Sequence, residues 1–406
     1  MKLQIDYADH PAFARLVSGR RSLPEATTYF AGIDEIWGSL LAPGSRTGPE
    51  AGAEFDRLAS PLLRQFKDVL QREPIVEEYR PFVFTALDNS LQAVRTEIVQ
   101  VVDGHSFRRN RSAPVEGIVT QLRETGAATF RMAPAARKRV SDSLQPYFRQ
   151  VEAQRDGGSG ARCFVAVPPR GTHWDLLKAF VRDSHIEDAI SSYAGFPLAL
   201  NGYALTLSHP GETWFKICYE DLGLPAVRTV QMHYDIDNLT AKAMFYLNEV
   251  SPDSGPFSCA PNSKALIGWR SQTSYFKYLD YANNDYAAFR KVPGTIYNRP
   301  MFIFPELRPA FASLPAELQG SGGPGDDVLD ASPLSAALLR GEHILTSDDG
   351  DLMLFAGGEI LHRGGVAKLG QRYALQMIFQ KPPSLAQKVR GLPRRVGNRI
   401  KRLFPN

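Results

Sequence analysis

The spacing of apolar side chains divides this chain into a helical first part and a strand-rich second part. Residues 55–70 carry apolar side chains three and four positions apart, which predicts an amphipathic helix. We therefore expect residues 1–112 to be mostly helical, with a loop at 43–52. Beyond about residue 160, short runs rich in β-branched and aromatic residues predict strands, at 162–167, 226–235 and 241–250.

One of these predicted strands carries a histidine and an aspartate two positions apart. Side chains alternate between the faces of a strand, so His233 and Asp235 point the same way and can reach one metal ion. A third candidate ligand, His362, follows the run Gly-Asp-Leu-Met-Leu-Phe-Ala-Gly-Gly-Glu-Ile-Leu. Two imidazoles and one carboxylate can bind one face of a ferrous ion and leave three positions for a bidentate co-substrate and dioxygen. The three residues are therefore the predicted iron ligands and catalytic residues of an oxygenase.

An arginine stands ten residues after the third candidate ligand. His362 ends a strand-like run, Gly364-Gly365 opens a turn, and Arg372 begins a second apolar run over residues 373–379. A guanidinium grips a carboxylate with two parallel hydrogen bonds, so Arg372 is predicted to bind the far carboxylate of 2-oxoglutarate. A surface arginine at a strand start is the open alternative. His343 is the rival histidine in this half, and it lacks both the glycine-aspartate lead and the following arginine.

Two other histidine–acid pairs show similar spacing. His173 with Asp175 and His185 with Glu187 lie in a segment whose apolar stripe predicts a helix capped by Thr172. Residues two apart on a helix lie about 200° apart around its axis, so neither pair can converge on one ion. Both histidines are predicted to be surface residues or satisfied by ordinary contacts.

The order of these motifs resembles the phytanoyl-CoA dioxygenase family of iron(II)- and 2-oxoglutarate-dependent oxygenases. The run from His233 to Lys264 contains a His-x-Asp strand, a second strand, a Gly-Pro turn and a Pro-Asn-Ser-Lys segment in the order typical of that family. The later Gly-Asp-Leu-Met-Leu-Phe, His362 and Arg372 match its second half. The resemblance covers roughly residues 115–380, beginning with Gly-Ile-Val-Thr-Gln-Leu-Arg-Glu-Thr-Gly-Ala-Ala-Thr-Phe.

The resemblance implies a mainly β fold with helical additions, built on a double-stranded β-helix, a cupin-like jelly roll, over residues 113–380. It implies that His233, Asp235 and His362 bind Fe(II), and that Arg372 binds the co-substrate 2-oxoglutarate. Dioxygen would then hydroxylate an unactivated C–H of a small-molecule, lipid-linked or glycan substrate, with release of succinate and CO₂. Halogenating relatives lack the carboxylate, so the presence of Asp235 favours hydroxylation.

Two positions depart from the family pattern. Pro-Asn-Ser-Lys at 261–264 lacks the glycine and histidine of the family's segment, which bears on the geometry of the substrate side. Gly364 stands where many relatives have a serine or threonine two residues past the distal histidine. We therefore expect one hydrogen bond to 2-oxoglutarate to come from another residue.

An aromatic-rich insertion, residues 265–345, separates the two halves of the motif. Its aromatic side chains suit a substrate pocket, but a helix packed on the barrel by an aromatic stripe explains them equally well. Residues 320–327 are rich in glycine and predict a flexible linker or a lid hinge. The aromatic residues are Trp269, Tyr275, Phe276, Tyr278, Tyr281, Tyr286, Phe289 and Tyr297.

The net charge of +4 conceals an uneven distribution. Residues 381–406 hold eight basic residues and no acidic one, and subtracting these charges leaves −4 on the remaining body. Apolar residues recur three or four apart in this tail, which predicts a basic amphipathic segment. It could contact anionic membrane lipids, or it could pack on its own domain or on a dimer mate. Nucleic-acid binding is disfavoured because the body is acidic and no basic-aromatic module is present.

Three cysteines, Cys163, Cys218 and Cys259, form no even disulfide framework and no metal-type spacing, which favours a reducing compartment. The start shows no signal-peptide pattern, and no apolar run reaches 18 residues. We expect a cytoplasmic protein, with peripheral contact at the inner face of a membrane left open. Two other functions stay open as well: a catalytically inactive metal-binding barrel of the cupin type, and a peripheral-membrane adaptor that acts through residues 381–406.

Overall fold

The computed structural model describes most of the chain outside five long segments. The described residues are 21–41, 46–104, 107, 109–157, 162–210, 232–235, 238–261, 263, 270–283, 308–319, 340–365 and 367–382.

Three long helices form the first described part of the chain, and their buried faces share one apolar core. The predicted loop at 43–52 is wrong for its last five residues, because a helix begins at Gly48. The side chain of Thr47 accepts a hydrogen bond from the backbone N–H of Glu50, and Glu50 bonds back to the N–H of Thr47. This capping box fixes the helix start. The helices are α1 (Pro24–Leu40), α2 (Gly48–Arg72) and α3 (Arg80–Gly104).

The central element is an antiparallel sheet of six strands, in the order β1-β7-β4-β9-β3-β2. Its longest members, β3 and β9, pair along almost their full length. The strands are β1 (Ala127–Phe130), β2 (Arg162–Val167), β3 (Ala199–Ser208), β4 (Ala241–Tyr246), β7 (Leu352–Phe355) and β9 (Arg372–Gln380).

A second antiparallel sheet of three strands packs on one face of the first. Its order is β6-β5-β8, and an isolated bridge from His233 extends it beyond β8. Apolar residues of both sheets form one buried cluster between them, including Met244, Phe257 and Phe355. The strands are β5 (Phe257–Ala260), β6 (His343–Ile344) and β8 (Leu361–Gly364).

Five helices cover the other face of the six-stranded sheet. Alternate residues of β9, such as Leu375 and Met377, enter the core that these helices share with the sheet. The intervening residues, including Arg372 and Ala374, must then face the gap between the two sheets. The helices are α4 (Ala113–Thr125), α5 (Pro134–Ser143), α6 (Gln145–Asp156), α7 (Thr172–Asp183) and α8 (Ile186–Ala194).

The aromatic-rich insertion contributes a helix, α9 (Arg270–Asn283), and a short helix, α10 (Arg308–Ser313). The predicted packing of an aromatic stripe is confirmed for α9, but its partner is the helical core and not the barrel. Tyr275 is fully buried there against Phe30, and Phe276 and Tyr278 pack on the same core. Tyr286, Phe289, Tyr297 and residues 320–327 lie outside the described residues.

Two smaller predictions can be compared with the structure. Thr172 is not an N-cap: it is the first residue of α7, Gly171 precedes it, and no side chain caps this end. Cys163 and Cys259 are buried free thiols, as predicted, whereas Cys218 lies outside the described residues.

Within the described ranges, no helix is both long and apolar enough to cross a membrane. The basic tail predicted at 381–406 lies outside the described residues from position 383 on, and it stays a prediction, as does the division into domains.

Candidate metal centre

The backbone before the first two candidate ligands is extended. Met232 and Tyr234 are fully buried, whereas His233 and Asp235 between and after them are half-buried. This alternation places the histidine and the aspartate on one face, as the two-residue spacing predicts. Residues 226–231 of the predicted strand lie outside the described part of the chain.

A backbone bridge brings His233 against the third candidate ligand. The N–H of His233 donates to the carbonyl of His362 at 3.0 Å, and the N–H of His362 donates back at 3.1 Å. Their imidazole rings lie 4.5 Å apart between centroids. His362 is the second residue of β8 and not the end of the preceding strand, because β7 ends at Phe355 and a turn intervenes.

The structure brings three ligand atoms into one small volume. One ligand atom each of His233, Asp235 and His362 lies within 4.8 Å of the other two, which makes this the one such cluster among the described residues. The Nε2 of His362 lies 3.7 Å from Oδ1 of Asp235, and its Nδ1 lies 3.0 Å from the carbonyl of Ile360. A proton on Nδ1, donated to that carbonyl, leaves the lone pair on Nε2 directed at the cluster.

Charges around Asp235 keep its carboxylate ionised. Burial by itself raises the pKa of Asp235, but Lys242, followed by His362 and His233, holds it well below its usual value. The Nζ of Lys242 donates to Oδ1 of Asp235 at 2.5 Å. Burial has the opposite consequence for the neighbouring imidazole and lowers the pKa of His362 to about 3, although Asp235 opposes this shift. The cluster is therefore a neutral imidazole beside an ionised carboxylate, which are the protonation states that metal binding requires.

The second carboxylate oxygen supports the same conclusion. Oδ2 of Asp235 is buried, and no described residue donates a hydrogen bond to it. It lies so close to Gly357 that a Cβ there would stand 1.8 Å from it. Only glycine allows this approach of backbone to carboxylate. A buried anionic oxygen without a donor is costly, and a divalent cation would satisfy it. The donor set therefore fits a ferrous ion.

Arg372 is buried at the other end of the gap between the sheets. Its side chain is 2% exposed, and burial lowers its pKa while Tyr246 raises it. One terminal nitrogen donates to the carbonyl of Gly255, and Nη2 donates to Oγ of Ser208 at 3.0 Å. Its Nε has no hydrogen-bond partner among the described residues. The alternative of a surface arginine is therefore wrong.

Gly364 lies beside this guanidinium. A Cβ at this position would stand 2.9 Å from Nη2 of Arg372, so the arginine fills the space that a serine side chain would need. A hydroxyl from another strand lies at this guanidinium: Ser208 pairs with Arg372 across β3 and β9 and shares its face of the sheet. The buried Tyr246 of β4 lies close enough to Arg372 to raise the pKa of its guanidinium.

The rival histidines lie elsewhere. His173 is buried on α7 between the rings of Tyr147 and Tyr203, which makes it a core histidine, as predicted. His185 precedes α8 in a left-handed backbone conformation. His343 pairs with Cys259 in the smaller sheet and is not part of the three-residue cluster.

Several residues of this region were not found from the sequence. Lys242 and Tyr246 face the gap because Ala243 and Phe245, which alternate with them, enter the helix-covered core. Ser208 is placed by the same alternation, after Leu205 and Leu207. The polar positions within these apolar strands were the available signal.

Comparisons with known proteins give remote likenesses. No protein-family model and no curated protein matches the chain. It is similar to the solved structure of the epimerase SnoN in complex with Fe³⁺, α-ketoglutarate and nogalamycin RO, at 12% identity over 67% of this chain and 85% of that chain, with a TM-score of 0.35. It is also similar to AviO1 from Streptomyces viridochromogenes Tue57, at 13% identity over 68% and 98%, with a TM-score of 0.33. A Pseudomonas putida prolyl-4-hydroxylase gives 14% identity over 66% and 99%, with a TM-score of 0.32. At these values the likenesses carry no weight for the chemistry, which rests on the site's own geometry.

Proposed function

We propose that this chain is an Fe(II)- and 2-oxoglutarate-dependent dioxygenase. The observation that carries the proposal is the pairing of two features in the gap between the sheets. One is the cluster of His233, Asp235 and His362, and the other is the buried guanidinium of Arg372. A metal-binding barrel needs the first feature, whereas the second matters for binding an anionic co-substrate.

The two sheets are, in this proposal, the two halves of a double-stranded β-helix. All pairs of the larger sheet and of the smaller one are antiparallel, and one apolar cluster joins them. The backbone bridge from His233 to His362 would make residues 232–235 a fourth strand of the smaller sheet. Jelly-roll barrels hold ligands between such sheets. The resemblance to phytanoyl-CoA dioxygenases, read from residues 115–380, belongs to the same proposal.

Each predicted site residue has a defined role here. His233, Asp235 and His362 would hold the iron, and bound iron with 2-oxoglutarate would supply the oxidising power to use dioxygen, with succinate and CO₂ as products. Arg372 binds the distal carboxylate of 2-oxoglutarate through its guanidinium. The hydroxyl of Ser208, which accepts from Arg372, can donate its own proton to that carboxylate.

The position of these groups along one strand supports the division of roles. Lys242 of β4 contacts Asp235, and Tyr246 of the same strand lies close enough to Arg372 to raise its pKa. Four residues of strand separate their Cα atoms by about 13 Å, on the same face. The metal end and the anion end therefore lie on the same face of the larger sheet. Ile378 and Met244 line the same face of the larger sheet, and both are buried.

Hydroxylation is the proposed reaction because Asp235 supplies the carboxylate ligand. The substrate is proposed as a small molecule, with lipid-linked and glycan compounds included, and cytoplasmic location belongs to the same proposal. Contact of residues 381–406 with an anionic membrane, and with it the adaptor function, stays a prediction from the sequence, because residues 383–406 lie outside the described part of the chain.

A second candidate function is a metal-binding barrel without oxygenase activity. One observation favours it: the ion pair from Lys242 satisfies one oxygen of Asp235 within the chain itself. The buried Arg372 favours the oxygenase. It has no carboxylate partner among the described residues, and metal binding alone does not require such a buried cation.

Anaerobic titration with Fe(II) and 2-oxoglutarate tests the proposal. We expect a visible metal-to-ligand charge-transfer band in the unchanged chain and its loss in His233→Ala. His343→Ala is the matched control, because this histidine lies in the smaller sheet outside the cluster. Succinate release then measures turnover. Iron binding without the band would reject the oxygenase and leave the metal-binding barrel.

A further inference from the structure

Lys277 is a buried lysine that connects the helical core to the loops of the metal centre. It lies on α9, and only 1% of its surface is exposed. Lysine is seldom buried, because removing its ammonium from water is costly unless hydrogen bonds replace the lost hydration. The contacts of this side chain therefore show what its burial serves.

The helix that carries Lys277 is held by the first part of the chain. The carboxylate of Asp34 on α1 accepts hydrogen bonds from the backbone N–H groups of Arg270 and Ser271, which caps the start of α9. The side chain of Arg270 forms an ion pair with the buried Glu97 of α3. The helix thus belongs to the N-terminal helical core, although its sequence lies between β5 and β6.

From this helix, Lys277 extends to two loops of the other region. Its Nζ donates to Oδ1 of Asn238 at 2.8 Å and to the carbonyl of Gly358 at 2.9 Å. The ammonium also lies over the ring of Tyr234, 5.5 Å from its centroid. Three donors on one tetrahedral group allow it to hold both loops at once.

These contacts bracket Asp235 from both sides. Tyr234 precedes the aspartate, and Asn238 follows it three residues later. Gly358 adjoins Gly357, whose carbonyl accepts the backbone N–H of Asp235 at 2.8 Å and whose Cα lies against its carboxylate. A shift of either loop would therefore move the carboxylate.

We propose that Lys277 is a positioning residue for the metal centre, and that the N-terminal helical region sets metal affinity through it. The inference rests on the metal centre of the proposed function, and it gives the otherwise unassigned helical region a role in the site. It does not depend on 2-oxoglutarate binding or on any reaction.

The electrostatics agree with this geometry. Burial lowers the pKa of Lys277 to about 8, and Arg270 lowers it as well, while Asp235 and Glu97 raise it. The ammonium is therefore largely charged at neutral pH. Its attraction to Asp235 adds to the hydrogen bonds that fix the loops.

The test compares two variants of α9 in the full chain, with Co(II) as the probe because it needs no co-substrate. Lys277→Met removes the ammonium and keeps the length of the side chain. Leu279→Ala is the matched control: Leu279 is 1% exposed in the helical core and lies about 200° around the helix from Lys277. Both variants should lower the Tm. Anaerobic Co(II) titration gives affinity, and the visible d–d bands give the ligand geometry.

We expect Lys277→Met to weaken Co(II) binding about tenfold and to shift the d–d bands. Losses of this size are typical when a residue that orients the metal ligands is replaced. Leu279→Ala should keep both the affinity and the spectrum of the unchanged chain. Co(II) binding by Lys277→Met with unchanged affinity and bands would overturn the inference alone. Equal losses in both variants would reduce Lys277 to a stabilising residue and also overturn it. If the unchanged chain bound no metal, the proposed function and this inference would fall together, whereas metal binding without a 2-oxoglutarate band would reject only the oxygenase.

Discussion

The two ends of the gap between the sheets solve the burial of charge in different ways. At the metal end, the carboxylate of Asp235 faces the ammonium of Lys242 at 2.5 Å, and a neutral imidazole lies beside it. At the other end, Arg372 donates only to neutral oxygens of Gly255 and Ser208 among the described residues. One end holds opposite charges side by side, and the other holds a cation with no anion beside it in the described part of the chain.

This difference indicates what each end requires. A buried ion pair is close to neutral in its net effect on stability, so the metal end can exist with or without its ion. A buried cation with only neutral acceptors destabilises the fold, and its retention suits a ligand that brings a negative charge. The anion end is therefore the more specific sign of function, although the metal end is easier to recognise in the sequence.

Replacement of Arg372 is expected to have the largest effect, and this effect is on the affinity for 2-oxoglutarate. Arg372→Met should weaken 2-oxoglutarate binding at least about 100-fold, since loss of one partner of a buried charged pair costs a few kcal/mol. The Tm of the metal-free protein should not fall, because the substitution also removes a desolvated charge. Titration of the charge-transfer band and thermal unfolding measure the two effects.

Arg363→Met is the matched control for this prediction. Arg363 lies on β8 and pairs with the buried carboxylate of Glu342 at 3.0 Å. Its loss removes the cation that faces this buried carboxylate, so stability should fall by about 3 kcal/mol without a change in 2-oxoglutarate binding. If Arg372→Met destabilised the metal-free protein as much as Arg363→Met does, the contrast between a paired and an unpaired buried arginine would be wrong.

The low pKa of His362 at the metal end should make the stability of the metal-free protein depend on pH. The pKa of His362 is lowered from 6.5 to about 3, so between these values the unfolded chain binds a proton that the folded chain does not. Stability therefore falls as the pH falls from about 6.5 towards 3. Asp235, whose pKa is also lowered, adds to the loss below its usual value of 3.8. The contribution of His362 is on the order of a few kcal/mol.

Tm measured against pH in the metal-free protein tests this prediction, with His362→Gln as the reference. The amide of glutamine does not titrate, so the variant should show a shallower decline over the same interval. The Tm of Arg372→Met should decline with falling pH as it does in the unchanged chain. The guanidinium that this substitution removes stays charged over the whole interval, so it contributes nothing to the decline. Identical slopes in the unchanged chain and in His362→Gln would show that the imidazole is not held neutral by burial.

The metal end could be predicted from sequence because its signals are local. His233 and Asp235 share a face through the two-residue period of a strand, and the structure shows this alternation with Met232 and Tyr234 buried. The sequence does not give the distance in space between His233 and His362. In the structure, a backbone bridge joins the two residues. The start of α2 also carries a local signal, the capping box Thr-Gly-Pro-Glu, although the proline and glycine nearby predict a loop.

The supporting residues could not be predicted because their meaning is tertiary. Ser208 and Arg372 are 164 residues apart, and Lys277 lies 81 residues from Gly358. No local period links such positions. The helical core is a similar case: its helices follow from their apolar stripes, whereas the contact of α9 with the metal-centre loops depends on how the two regions pack.

The smallest expected effect concerns the hydroxyl that accepts from Arg372. Ser208→Ala should weaken 2-oxoglutarate binding about tenfold, because a hydrogen bond to a charged group contributes roughly 1.5 kcal/mol or more. Binding of pyruvate should not change, since it keeps the 2-oxo acid group that chelates iron but lacks the distal carboxylate. Thr206→Val is the control: Thr206 lies on the same strand and face, but its hydroxyl donates to the carbonyl of Ala374.

The pair of co-substrates separates a local role from a general one. If Ser208 only maintains the strand pairing of β3 with β9, its loss should weaken both 2-oxo acids equally, as a displaced metal centre would. A loss confined to 2-oxoglutarate places the hydroxyl at the distal carboxylate, where Gly364 leaves no room for a side chain beside Nη2 of Arg372. Ser208 of β3 would then donate the hydrogen bond that no side chain at position 364 of β8 donates in this chain. The preference of the anion end for 2-oxoglutarate would depend on this serine as well as on Arg372 of β9.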